Sequence, residues 1–375
     1  MHSGFDYIDP AVLSGVLDDD VAHALPADEF LKRLKPRLAR FGITRVADIT
    51  GLDIVGLPVA QAVRPMARSN AVTQGKSSSI SAAALGAVLE CLEMASGEDL
   101  SHFPHSSSET PDLWRDMALG ADWPDADTPF VPAWNLTDDK STAIPRDLIS
   151  TNFARGAEAE RAPILRLSVG LGAGATLASA LMHGLLEYVE ADARNWAEHT
   201  GDMRRIALDA SSAQYGECLR LVDKAGLRVA VYDISRGPVT AVKASIMEEP
   251  GAGNLPLPAV GYAARFDAGT AIKAALAEAI QARLAVISGA REDITQRFYA
   301  HPFSAEELQE EWNNHQQLSG LPALRSKPIL SLRELCNVVG PVFALPLCWE
   351  PDLPLAITRV VVPGLVADPT RLELV

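Results

Sequence analysis

Three stretches of the chain repeat one spacing of small and acidic positions. They read Ala83-x3-Ala87-x2-Glu90-x2-Glu93, Ala180-x3-Gly184-x2-Glu187-x2-Glu190 and Ala271-x3-Ala275-x2-Glu278-x2-Gln281. Positions i, i+4 and i+7 of a helix share one face. The pattern predicts helices over about 80–96, 177–196 and 269–289, each with two small residues and a carboxylate in one stripe. A small-residue stripe packs tightly against a neighbour, and a carboxylate within it needs a cation or a hydrogen-bond network. Upstream, Phe30, Leu31, Leu34, Leu38 and Phe41 recur at helical spacing after Leu25-Pro26-Ala27-Asp28, and Gly42 stops the helix. Strands are predicted over 44–52, 54–63 (with Pro58 marking an edge or irregularity), 130–136, 163–169, 228–234, 260–266 and 355–362. Residues 238–247 alternate as the hairpin partner of 228–234, a helix ends near 219–227, and Ser304-x-x-Glu307 is a capping box opening an acidic surface helix. Glycine-rich loops, Gly75–Ser79 and Gly170–Thr176, separate strand from helix. Strand, glycine loop and Ala/Glu helix thus recur three times. This predicts an α/β fold with mixed sheets and pseudo-repeated units, an N-terminal helical extension over 1–43 and one main domain over 44–375. Residues 97–165, rich in Pro, Asp, Ser and Trp, read as short strands in long connections.

Composition narrows the function. The 375 residues carry 48% hydrophobic and 22% charged positions, ordinary for a globular protein with a large core. A formal net charge of -15 argues against sequence-independent nucleic-acid binding, though a local basic site for a small anion stays compatible with it. Four separated cysteines, with no C-x-x-C, read as reduced and buried thiols. No apolar run approaches the ~18 residues of a membrane span, and Met1–Asp20 lacks a signal-peptide pattern, so a cytoplasmic location is expected.

Glu90, Glu93, Glu187 and Glu190 are the candidate metal ligands. Four carboxylates meeting at one place suit Mg²⁺, which takes a few carboxylates together with phosphate oxygens and water. Either pair alone reads better as a solvated helix edge; the second pair, with matching Ala spacing and a matching upstream glycine loop, tips the reading to metal binding. Gly75-Lys76-Ser77-Ser78-Ser79 offers amides, a cation and hydroxyls before a helix, either an anion site or an ordinary N-cap with a solvated lysine. It lacks Walker A spacing. Gly170-x-Gly172-x-Gly174 is half of a dinucleotide fingerprint or a tight turn. Gln281, Arg283 and Arg291 could fork onto phosphate, or Arg291 could cap the helix. The histidines form no ligand pattern, and His183 lies off the carboxylate stripe.

These segments resemble the YcaO family. The resemblance lies in QGKSSSISAAALGAVLECLE, LSVGLGAGATLASALMHGLLEYVEAD and VGYAARFDAGTAIKAALAEAIQARLAVISGARED, with the approach ITRVADITGLDIVGLPVAQAVRP and the tail ITRVVVPGL. It implies a YcaO-type fold around a central nucleotide site, with ATP and Mg²⁺ as cofactors. The implied chemistry is phosphorylation of a peptide amide oxygen, attack of a nucleophile at the carbonyl carbon and loss of phosphate. By position, Glu90, Glu93, Glu187 and Glu190 match the family's Mg²⁺-binding acids, and Lys76 the lysine near the phosphates. Ser168 matches a serine of the nucleotide turn. Gln281, Arg283 and Arg291 match the third nucleotide-contacting segment, taken as catalytic, and Ser79 joins the cofactor-binding set.

The departures also carry expectations. Met94 and Ala191 follow the acidic pairs where Arg is common; Val169, Ala175, Ser179 and Gly86 stand where Asn, Asn, Glu and Ser are frequent. A non-Arg residue after the first pair resembles the branch that works with a TfuA-like partner in thioamide formation, and the tail lacks the Pro-x-Pro-x-Pro terminus of azoline formers. The expectation is a thioamidating enzyme acting on a peptide with a TfuA-like partner. The alternatives are an azoline-forming cyclodehydratase or a scaffold that has lost ATP turnover. A homodimer is the base-rate expectation.

Overall fold

The computed structural model describes the chain apart from residues 1–4, 22–24, 108–110, 118–127, 155–165, 253–257, 291–303, 317, 351 and 370–375. Helix α1 (Ala27–Leu34) gives way to a tighter 3₁₀ stretch, Lys35–Phe41, because Pro36 supplies no backbone N–H. Gly42, at φ 75°, ends it in the left-handed region. Strands β1 (Arg45–Asp48), β2 (Val59–Val63) and β3 (Val72–Lys76) form an antiparallel sheet in that order. The predicted strand at 54–63 begins only after Pro58, and β2 is central rather than an edge. Helix α2 (Ile80–Ser96) follows, capped by Ser79.

The next unit holds β4 (Phe130–Asn135), β5 (Lys140–Pro145), β6 (Leu171–Gly174) and α3 (Leu177–Thr200). The strand predicted at 163–169 is not found at 166–168, and 163–165 lie outside the described residues. The strand instead starts at Leu171. The third unit holds β7 (Arg204–Arg205), α4 (Gly216–Lys224), β8 (Arg228–Asp233), β9 (Thr240–Met247), β10 (Ala259–Arg265) and α5 (Ala268–Ser288). Helices α6 (Ala305–Asn314) and α7 (Leu332–Val339), each opened by a capping box, lead to the hairpin β11 (Phe343–Glu350) and β12 (Leu355–Val361). The larger sheets run β10-β9-β8-β7 and β5-β4-β11-β12-β6, and every described pairing is antiparallel.

The small-residue stripes now have their neighbour. Gly75 in β3 lies on the backbone of α2 at Ala83 and Ala87, Gly172 in β6 on α3 at Ala180 and Gly184, and Gly261 in β10 on α5 at Ala275 and Ala279. A methyl group on any of the three would overlap helix backbone. This contact accounts for glycines inside strands, where they otherwise weaken the ladder. It also explains why two segments that read as glycine loops contain strand: the residues were chosen for close approach. In the third unit the seat is one helical turn later than the aligned letters, at Ala275 and Ala279 rather than Ala271 and Ala275.

Each helix also has its own core. Leu92 of α2, Leu181 of α3 and Leu276 of α5 are fully buried in three separate apolar clusters. Truncating any of them to Ala would cost about 2–5 kcal/mol. Phe30, Leu34 and Phe41 of the N-terminal segment join the cluster around α2. The units then close into a ring. Helix α2 packs on its own β3 and also on β6, α3 on β6 and also on β10, and α5 on β10 and also on β3.

Candidate functional site

The acidic positions follow that ring. The first of each pair accepts a backbone N–H from its own strand side: Glu90 from Gln74 (3.3 Å), Glu187 from Gly170 (3.2 Å) and Glu278 from Tyr262 (3.3 Å). The second reaches the next unit. Glu93 takes the Ala173 N–H, Glu190 takes the Ala264 N–H at 3.1 Å, and Gln281 donates to the Gln74 carbonyl at 3.3 Å. An amide at the third second-position is therefore chemically required: its partner is a carbonyl, which a carboxylate could not bond.

Electrostatics link the acids into one chain. Burial and then the Glu90 charge push Glu93 up to about 8. Burial, then Glu93 and Glu190, raise Glu187 well above the usual carboxylate range, opposed by Arg359. Burial and Glu278 push Glu190 up to about 7, opposed by Arg265 and Lys76. Lys76 closes the chain with an ion pair to Glu278, Nζ to Oε2 3.2 Å. The Glu93 side chain keeps 13% of its surface, so it is not sealed from solvent.

Among the described residues no three carboxylates, imidazoles or thiols stand close enough together to hold a metal ion, so the four glutamates do not gather at one point as the sequence led one to expect. A magnesium ion that shares its shell with phosphate and water needs no such cage. The donor set fits that chemistry. Hard oxygens dominate, burial first and neighbouring carboxylates second raise the pKa values of Glu93, Glu187 and Glu190, a cost a dication would offset, and the buried Gln74 amide (both atoms) and Gln281 Oε1 have no hydrogen-bond partner among the described residues.

The remaining expected residues divide. Ser79 caps α2 through Ala82 N at 3.3 Å, and Ser168 lies two residues before Gly170, its carbonyl accepting Leu171 N. Arg283 is not brought to the acids. It sits five positions after Glu278, about 140° around α5, and its buried guanidinium contacts Asp53 (Nε to Oδ2, 3.0 Å) and Glu248 (Nη2 to Oε2, 3.1 Å). Arg291 lies outside the described residues. His183, set aside by the pattern, lies 3.9 Å from Glu93, its pKa lowered by burial, Arg265 and Lys76. Arg265, Glu278 and Gln74 were likewise not selected. Glu278 alone had a signal, since it occupies the repeat's acid position. Ser179 substitutes locally for a glutamate: its hydroxyl accepts Thr176 N at 2.9 Å and completes the capping box of α3.

Residues 74–366 match a family described as YcaO cyclodehydratase, ATP- and Mg²⁺-binding. The chain belongs to the YcaO family. An uncharacterised protein of Mycobacterium tuberculosis is 29% identical over 292 residues, which is 72% of this chain and 64% of that protein. The chain therefore spans 64% of the length of its mycobacterial relative. A Rhizobium leguminosarum bv. trifolii protein, named for its place in the tfuA 3′ region, is 27% identical over 391 residues, 95% of this chain and 91% of its own. The structure of YcaO from Methanopyrus kandleri bound with AMPPCP and Mg²⁺ superposes with TM-score 0.71 at 20% identity, over 92% of this chain and 93% of that one. At that identity the likeness establishes the YcaO fold. The described cysteines are all buried and free, and no helix among the described residues is long and apolar enough to cross a membrane.

Proposed function

We propose that this YcaO protein is an ATP- and Mg²⁺-dependent enzyme that activates a peptide backbone amide for thioamide formation with a TfuA-like partner. The observation that carries the reading is the ring of helix acids: Glu90 and Glu187 each accept an N–H beside their own strand, Glu93 and Glu190 each accept one from the next unit, and Lys76 pairs with Glu278. Bound Mg·ATP would supply the phosphoryl group that turns an amide oxygen into a leaving group, with the four glutamates as magnesium ligands. The chain's own residues do the rest by position and charge. Lys76 and Arg265 offset the carboxylates at the end where phosphate charge would fall. Gln74 and Gln281 present unused amide atoms beside them. Gly170 borders Glu187 through its N–H, and Ser168 lies two residues before it.

Thioamide rather than azoline formation is favoured by the Rhizobium relative's tfuA neighbourhood and by Met94 after the first acidic pair. The test is mass spectrometry of a candidate peptide incubated with protein, Mg·ATP, sulfide and a TfuA-like protein. Replacement of one oxygen by sulfur supports the reading. Loss of one water moves the protein to the azoline formers. ATP binding without turnover or product on any precursor supports the scaffold alternative.

A further inference from the structure

Arg359 of β12 is 4% exposed and lies behind the carboxylate ring. Its Nε donates to the Leu148 carbonyl at 3.1 Å and its Nη2 to the Leu167 carbonyl at 2.8 Å. Nη1 has no hydrogen-bond partner among the described residues and borders a cavity of about 20 Å³, room for one water, shared with Val169 and Tyr188. The next residue, Val360, donates its N–H to the Gly170 carbonyl at 2.7 Å, while Arg359 itself pairs with Leu171 across the ladder. Gly170 in turn gives its own N–H to Glu187. Two adjacent residues of β12 thus grip both ends of the 167–170 loop, and that loop supplies the hydrogen bond on Glu187. The guanidinium is also the cation that opposes the Glu187 environment.

We infer that Arg359 is a positioning residue that fixes the Leu167–Gly170 loop and, through the Gly170 N–H, the orientation of Glu187. The inference rests on the reading of Glu187 as a magnesium ligand. A lysine keeps the charge but cannot span two carbonyls as a guanidinium fork does. A buried arginine used only as a strut between loops would affect stability without affecting metal use. Arg166, just before the loop, is such a strut, its guanidinium bonding the Asn152 carbonyl and the Asp147 carboxylate and none of the glutamates in the bonds described.

The test compares wild type, Arg359→Met, Arg359→Lys and Arg166→Met. Hydrogen exchange of the nucleotide-free protein is read at residues 168–171, and the Mg²⁺ concentration giving half-maximal ATP binding is measured by calorimetry. Arg359→Met should speed exchange at 168–171 at least tenfold more than in α4 and raise the Mg²⁺ half-saturation at least tenfold. Arg359→Lys should fall between. Arg166→Met should leave Mg²⁺ half-saturation within twofold. Unchanged exchange at 168–171 in Arg359→Met overturns the inference, as does an equal rise in Mg²⁺ half-saturation in Arg166→Met. If Arg359→Met does not fold, Arg359→Lys decides by the same two criteria. If wild type binds no Mg·ATP, the proposed function fails separately, and exchange at 168–171 still decides whether Arg359 holds the loop.

Discussion

Gln281 Nε2 meets the Gln74 carbonyl at 3.3 Å, joining the last helix of the ring to its first strand. This bond differs in polarity from its two counterparts, where a carboxylate accepts an N–H. Gln281→Glu would set a carboxylate against a carbonyl in a buried position. The expected cost is about 1–3 kcal/mol, a drop of several degrees in thermal midpoint. A midpoint equal to wild type would mean the ring does not close through this pair.

The strand glycines make a second prediction. Gly75→Ala and Gly172→Ala each drive a methyl into helix backbone, whereas Gly51→Ala points into open space. Overpacking of this kind costs about 1–3 kcal/mol or more. Urea midpoints should fall for the first two and stay near wild type for Gly51→Ala. Equal midpoints for all three would refute the seat.

Arg283 gives a third. Removing it in Arg283→Met leaves Asp53 and Glu248 buried together without their shared cation. Breaking a buried pair costs about 3–5 kcal/mol. Chemical denaturation should show that loss. A variant of unchanged stability with weakened ATP binding would instead place Arg283 at the phosphates.

A fourth prediction concerns pH. The folded-state values of Glu93 and Glu190, about 8 and about 7, lie above the unfolded carboxylate value. At these two positions the native protein therefore holds more protons than the unfolded chain between about pH 4.5 and 8, so their contribution to stability is lost as pH rises. Nucleotide-free stability should fall as pH rises through that window. Bound Mg²⁺ offsets the crowded charge, so stabilisation by Mg·ATP should be larger at pH 8 than at pH 6. Differential scanning fluorimetry at both values reads the sign, and a larger gain at pH 6 would contradict it.

The helices at the site were legible because Ala and Glu repeat at 3- and 4-residue intervals, and their observed bounds, Ile80–Ser96, Leu177–Thr200 and Ala268–Ser288, follow that period. Strands β8, β9 and β12 were legible from their β-branched residues, and β10 from its place before the third Ala/Glu helix. Strands β3 and β6 were partly hidden because their glycines answer to a helix backbone distant in sequence, a tertiary demand that local propensity does not carry. The Ser331-x-x-Glu334 capping box of α7 was present in the letters but unused. Arg283 misled because its neighbour Gln281 faces the ring, while two further positions turn the helix toward Asp53. His183 stands four residues before Glu187 on α3, a spacing the sequence carries but which the small-residue stripe overshadowed, whereas Arg265 and Arg359 enter from β10 and β12, which no spacing within the helices announces.

The account stands on the glutamates of α2 and α3 acting together on one magnesium–nucleotide. Isothermal calorimetry of ATP binding, with and without Mg²⁺, on wild type and Glu187→Gln tests that most directly. The prediction is Mg²⁺-dependent binding in wild type and its loss in a Glu187→Gln protein that keeps the wild-type circular dichroism spectrum. Equal Mg²⁺-dependent binding in both proteins would contradict it.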